Sequence, residues 1–365
     1  MSAYPAGEAA RRRARLPGWA AGIIDTPLNL AVTLVIAFLA VTVVWPTVRW
    51  ALIDATWTGN AAACRARDGA CWAFVAEKAR FIAFGLYPTP LIWQAVLASA
   101  LVVAVTAITA IPRFWSGRLA MLWPIGIALV IATMSGVVTG HHVPTSQWSG
   151  LPLTLLIAVV GFAAAFPIGI GLALGRRSRL IVIRGLSVAF IEVMRGVPLI
   201  AVLYFATLLL PLMLPPGTQI DTLFRAEIAV ILFVAAYMAE IVRSGLQAVP
   251  NGQYEAAQAL GLRWRAVMRL VILPQALRIS IPSFVNLAIG LFLDTTLVTV
   301  IGLLDFLTTA KTAASDPDWI GFYDEGFFVA AVVYFLICFG GSRYSLWLER
   351  YLHRGVPARP DARQQ

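Results

Sequence analysis

The chain has 365 residues, of which 60% are hydrophobic and 13% charged, where an average soluble domain carries about 25% charged residues. Its formal charge of +10 comes from arginines set between long apolar runs, not from a basic soluble domain. That pattern argues against soluble enzyme classes and against nucleic-acid binding.

Apolar segments of about 20 residues cross a bilayer as helices, because every backbone amide must be satisfied within the segment. The short alternating segments of a transmembrane barrel do not occur. The composition therefore predicts an all-α membrane protein. In the N-terminal tail, Arg11, Arg12, Arg13 and Arg15 precede an apolar run from Leu28 to Val44. That run is too long for a signal-peptide core and ends at Trp45-Pro46 with no small-residue cleavage site beside it, so an uncleaved first helix is expected. About eight transmembrane helices follow from the apolar stretches, at roughly 27–48, 91–111, 119–138, 152–174, 197–214, 226–244, 281–303 and 327–347. Most arginines fall in the N-terminal tail and in 112–118, 175–196, 243–280 and the C-terminal tail. The excess of positive charge on one side places both termini in the cytoplasm. Asp305, Asp316, Asp318, Asp324 and Glu325 gather on the opposite side.

The chain divides by character. Residues 1–150 form an extension with three spans and a polar external loop over 49–90. Residues 151–350 hold five spans with compact connections and one long basic cytoplasmic loop over 245–280, and 351–365 form a cytoplasmic tail. Pro144, Gly150 and Pro152 punctuate the junction. The five-span unit is not repeated, so a pathway that needs two such units takes the second from another polypeptide.

The 245–280 loop is patterned. It runs Pro250-Asn251-Gly252-Gln253-Tyr254-Glu255-Ala256-Ala257-Gln258-Ala259-Leu260-Gly261 and on to Leu273-Pro274. Asn251 suits an N-cap, and Glu255 lies early enough to favour the helix dipole. Ala256, Ala257 and Ala259 are strong helix formers with little bulk. Gly261 suits a left-handed residue ending the helix. Trp264, Val267, Met268 and Val271 then share one helical stripe, with Arg263, Arg265 and Arg269 around it, and Pro274 is expected to break this second segment.

Glu255-Ala256-Ala257, three residues, Gly261, nine residues, Val271, one residue and Leu273-Pro274 resemble the EAA loop of permease subunits in binding-protein-dependent ABC importers, with Val271 where the family usually has isoleucine. Glu192-Val193-Met194-Arg195-Gly196-Val197-Pro198 is similar to a stretch of polar amino-acid permeases. So are Tyr237 to Gly245, Ile272 to Ala276 and Asp294-Thr295-Thr296-Leu297-Val298. The three extra spans, with Gly69-Ala70-Cys71-Trp72, resemble the longer M-type subunit of general L-amino-acid transporters. The resemblance implies that the last five helices form a type I ABC importer permease core in a bacterial inner membrane. It further implies that Glu255, Ala256, Ala257, Gly261, Leu273 and Pro274 couple to two copies of an ATPase. The implied partners are a second, related permease in a heterodimer and a periplasmic amino-acid-binding protein, with an L-amino acid as cargo.

Individual residues carry alternatives. Asp294, expected near the middle of the seventh span, reads either as a translocation-path residue with Thr295, Thr296 and Glu240 or as a structural tie, to Arg243 of a neighbouring helix or to a partner subunit. Relatives often have lysine before this aspartate, where this chain has Leu293. Glu240 and Arg243 lie three apart, the spacing of a helical ion pair, which is the favoured reading of Glu240. Cys64 and Cys71 are compatible with a disulfide and equally with two free thiols. No metal site is expected, since His141-His142 lacks a third ligand. A phosphate-binding Gly-Lys-Ser/Thr loop is absent, because the two lysines follow Glu77 and Ala310. ATP and its magnesium therefore belong to a separate subunit, and this chain is read as non-catalytic. The other readings are an ion-gradient-driven secondary transporter or channel and, less favoured, a membrane-bound enzyme.

Overall fold

The structure, a computed structural model, describes residues 27–117, 119–215 and 217–353. The charged N-terminal tail and most of the C-terminal tail lie outside the described residues. Among the described residues the chain is helical throughout, with two isolated bridges and no longer strand. It divides into two compact units, one ending at Ala76 and the other beginning at Glu77.

In the first unit, α1 (Pro27–Ile53) is an apolar span. It continues five residues past the expected end and carries π-helical turns at Ala40–Val44 and Arg49–Ile53. A short α2 (Ala61–Arg65) follows, its first turn capped by Asn60 Oδ1, which accepts from the Ala63 amide at 3.0 Å. The chain then returns to α1, with the Ala70 amide on the Trp50 carbonyl at 2.9 Å and the Trp72 indole on the Ala51 carbonyl at 2.6 Å. Gly69 is required there, since a Cβ would lie 1.9 Å from the Asp54 carbonyl oxygen. Much of the stretch expected as a polar loop is thus helical, because α3 (Trp72–Phe84) fills its second half.

The second unit contains α4 (Ile92–Ala110), α5 (Leu119–Met134), α6 (Gly150–Arg176), α7 (Ile181–Gly196), α8 (Leu199–Met213), α9 (Thr222–Ala248), α10 (Asn251–Ala259), α11 (Trp264–Ile301), α12 (Phe306–Ala313) and α13 (Tyr323–His353). The centre is α9, packed along α6 and then against α11. Small residues set the approach: a Cβ on Gly169 would meet the Met238 side chain at 2.6 Å, and one on Gly245 would meet Ser280 Oγ at 2.1 Å. α4 pairs with α5, and α13 packs on α11.

Among the described residues, six helices are long and apolar enough to cross a membrane. A seventh span forms if α7 and α8 are taken together, bent by 107°. The bend follows from the sequence, because Val197 is held extended (φ −108°, ψ 135°) by the proline after it. The expected span at 197–214 is therefore one limb of a broken pair. The expected third span, α5, has 16 residues. It would reach about 24 Å, less than the hydrocarbon thickness of about 30 Å.

Pro274 does not break its helix. The six residues Val267–Ile272 widen into π-helical turns, and the α-helix resumes at Leu273 with Pro274 in its first turn. The same arrangement precedes Pro46 and Pro211, after π turns at Ala40–Val44 and Phe205–Leu209. Proline lacks an amide hydrogen and its ring crowds the carbonyl one turn back, and a wider turn relieves both defects.

At the opposite end of the bundle from the 245–280 loop, Asp305 caps α12, accepting from the amides of Leu307 at 3.0 Å and Thr308 at 3.1 Å, with Tyr334 donating at 3.3 Å. Burial pushes the Asp305 carboxyl up, while these bonds and the Thr308 hydroxyl pull it down. Lys78 on α3 binds Asp316 at 2.7 Å, and that hydrogen bond holds the Asp316 carboxyl below the usual range.

Candidate functional site

The patterned loop folds into α10, a tight turn and the start of α11. Pro250 occupies the N-cap, and Asn251 is the first helical residue, without a side-chain cap. Proline is suited to this place because it fixes its own φ and needs no amide partner there. Asn251 is thus displaced by one position from the N-cap role expected of it. The helix closes as expected at Gly261 (φ +73°). The Gly261 amide donates to Gln258 at 2.8 Å and the Leu262 amide to Ala257 at 3.3 Å, the two bonds of a Schellman cap. Ala257 is buried against the core, whereas Glu255, Ala256 and Gly261 are exposed. Leu273 is half-buried and Pro274 exposed. Of the expected stripe, Val267 and Met268 are buried and Trp264 is not. With Leu260 and Leu270, Trp264 instead leaves large apolar surface exposed on this loop.

Beside the loop lies a group of ionised side chains. Arg243 donates to Glu240 through Nε at 2.8 Å and through Nη2. Arg176 Nη1 reaches Glu240 at 3.5 Å and Glu192 at 3.2 Å, and Arg195 Nη1 lies 3.7 Å from Glu240. Arg195 also stands 5.8 Å from the centre of the Tyr237 ring. Three guanidinium groups and two carboxylates thus join the ends of α6, α7 and α9. The Glu240–Arg243 pair is the one that three-residue spacing predicts, and Arg176 and Arg195 come to it only through the fold.

Asp294 is the last residue of the α-helical part of α11, where the chain tightens into the 3-10 turn Thr295–Ile301. It thus sits at a change of helix type inside the span. Thr295 is buried and donates to the Phe292 carbonyl at 2.7 Å, and Thr296 donates to Leu293 at 2.9 Å. Both hydroxyls therefore donate within the local turn and keep only their acceptor lone pairs for other partners. Asp294 is exposed in the single chain, and among the described residues its carboxylate has no hydrogen bond or ion pair. The structure does not bring it to Arg243, which is engaged by Glu240 and, at 2.8 Å, by Gln247.

One buried acid escapes sequence reasoning. Glu227, in the second turn of α9, is 8% exposed, and neither carboxylate oxygen has a hydrogen-bond partner. Its Oε1 lies 3.4 Å from where a Cβ on Gly161 of α6 would stand, next to Leu291 of α11. The available signal was an acid in the opening of an otherwise apolar span. In the first unit, Cys64 and Cys71 are joined by a disulfide with Cα atoms 5.5 Å apart.

A helical core of apolar spans, with an exposed helix–turn–helix between two of them, defines the class as a multi-span helical membrane protein. Residues 165–354 match the model of the family described as binding-protein-dependent transport system inner membrane component, and the chain belongs to this family. It is accordingly a multi-pass inner-membrane protein. It is 46% identical over 317 residues to the inner membrane amino-acid ABC transporter permease protein YhdY of Escherichia coli (strain K12), covering 85% of each chain. It is 36% identical to the glutamate/glutamine/aspartate/asparagine transport system permease protein BztC of Rhodobacter capsulatus, covering 91% of this chain and 92% of that one. Among solved structures, the crystal structure of an amino acid ABC transporter with histidines is similar at a TM-score of 0.50 and 32% identity, covering 55% of this chain and 92% of that chain.

Proposed function

We propose that this chain is the permease subunit of an ABC importer that moves L-amino acids, polar or broad in range, from periplasm to cytoplasm. The observation that carries the reading is the exposed α10–Gly261–α11 loop of a family member whose relatives are amino-acid permeases. Glu255, Ala256, Ala257, Gly261, Leu273 and Pro274 form the element that a separate ATPase receives. Small side chains on α10 let another protein approach its backbone, and the Schellman cap holds the helix end rigid. ATP and magnesium bind that ATPase, present in two copies. Asp294, Thr295, Thr296 and Glu240 are proposed to line or gate the path, with the Asp294 carboxylate available to the ammonium group of the cargo.

A second, related permease completes the pathway as a heterodimer, a reading supported by the five-span unit occurring once in this chain. A periplasmic binding protein delivers the cargo, and both termini face the cytoplasm, in keeping with the arginines of the 175–196 and 243–280 segments. The test is a panel of L-amino acids added to the purified complex with its binding protein. Polar amino acids should stimulate ATP hydrolysis severalfold, and stimulation by sugars or peptides with no response to any amino acid would refute the cargo assignment.

A further inference from the structure

The cytoplasmic end of α6 carries two neighbouring arginines that face different partners. Arg177 Nη1 donates to the Tyr254 hydroxyl of α10 at 3.1 Å. That hydroxyl in turn donates to the Leu246 carbonyl in the last turns of α9 at 3.0 Å. One side-chain oxygen therefore joins α10, α6 and α9. Arg176, the preceding residue, holds Glu192 of α7 at 3.2 Å and Glu240 of α9 at 3.5 Å. Around the Tyr254 contact lies an open cleft of about 310 Å³, lined by Arg177, Leu246, Gln247, Val249, Asn251 and Tyr254. With space beside it, α10 has room to move relative to the end of α9 unless side chains bridge the gap. The bridge at this place is the Tyr254 hydroxyl.

We propose that Arg176 and Arg177 form a hub that makes α10 move as one with the ends of α6, α7 and α9, with Tyr254 as the positioning residue on the α10 side. The proposal rests on the reading of the Glu255–Pro274 loop as the ATPase-coupling element and specifies how a push on that loop leaves it. A displacement of α10 pulls Arg177 through Tyr254. Arg176 shares the same turn of α6 and carries the displacement to Glu192, four residues before the Gly196-Val197-Pro198 bend, and to Glu240. The competing route runs from α10 to α11 through Gln253 and Gln275, 3.2 Å apart. Coupling through a chain of contacts is established only when the contacts behave as one unit, which a double-mutant cycle measures.

The experiment uses the full transporter in proteoliposomes, this chain with its partner permease, ATPase and binding protein, and reads amino-acid uptake per ATP hydrolysed. Tyr254→Phe keeps the ring and removes the hydroxyl, and Arg177→Gln removes the charged donor. Each is expected to lower the ratio about threefold to tenfold, the scale of the net contribution of one solvent-exposed hydrogen bond. The double variant should lose no more than the worse single one, and Arg177→Lys should restore part of the ratio. An unchanged ratio in Tyr254→Phe overturns the proposal. So do losses that multiply in the double variant, or a loss in Gln253→Ala with none in Tyr254→Phe. Failure of Tyr254→Phe to assemble also counts against it, because the ring packing is preserved. Gly261→Asp in the same assay separates the two levels. If it leaves the ratio unchanged, the coupling-loop reading falls. If it uncouples while Tyr254→Phe does not, only the hub falls.

Discussion

At Asp294 the α-helical hydrogen-bond ladder of α11 ends inside a membrane span and a 3-10 turn takes over. Thr295 and Thr296 turn their hydroxyls back onto the helix, whereas the Asp294 carboxylate is exposed at the start of that turn. A carboxylate at this depth costs at least a few kcal/mol unless it faces water or a partner. Asp294→Asn keeps the shape and removes the charge. The expected outcome is a loss of uptake of about tenfold or more with the complex still co-purifying intact, and loss of assembly instead would assign Asp294 a structural tie. The residue was legible because an acid stands out in an apolar run. Glu227 is buried yet was not legible, because its burial depends on where α9 begins. Asp221 accepts from the Phe224 amide at 3.1 Å and starts the helix four residues before the expected span. That carries Glu227 from the rim into the α6–α9–α11 core.

Among the elements, the α10 loop was the most legible, since alanine content, a left-handed glycine and fixed spacing are local signals. Gly261 permits a direct test. A Cβ built on it meets nothing within 4 Å, so a side chain there points away from this chain. The left-handed conformation costs a non-glycine residue about 1–2 kcal/mol. Gly261→Ala bears only that cost, whereas Gly261→Asp adds bulk and charge where an ATPase would dock. Gly261→Asp is expected to insert and fold but to separate ATP hydrolysis from uptake, measured side by side in reconstituted vesicles. Gly261→Ala should retain most of the coupling, and normal coupling in Gly261→Asp would contradict the role of the loop. What local signals missed is the fate of proline. Pro274 reads as a stop, yet there, as at Pro46 and Pro211, the helix passes its proline after a π-helical turn. Whether a helix stops or widens depends on the packing on both sides of the proline. Pro198 shows the other outcome, a bend of 107° where the extended Val197 separates α7 from α8.

For the whole molecule, apolar length and arginine placement were enough to give an all-helical membrane protein with about eight apolar segments. Among the described residues these are six long spans, a bent pair and the shorter α5. The bend was not legible because α7 is amphipathic and short of a full span, so its sequence reads as part of a basic loop. The absence of a phosphate-binding loop in a family member makes the energy source the central claim. The most direct measurement is amino-acid uptake into proteoliposomes holding this chain, with and without its partner subunits, under ATP or under an imposed proton or sodium gradient. The account predicts uptake only with the partner permease, ATPase, binding protein and ATP together. Uptake by this chain alone, driven by an ion gradient without ATP, would contradict it.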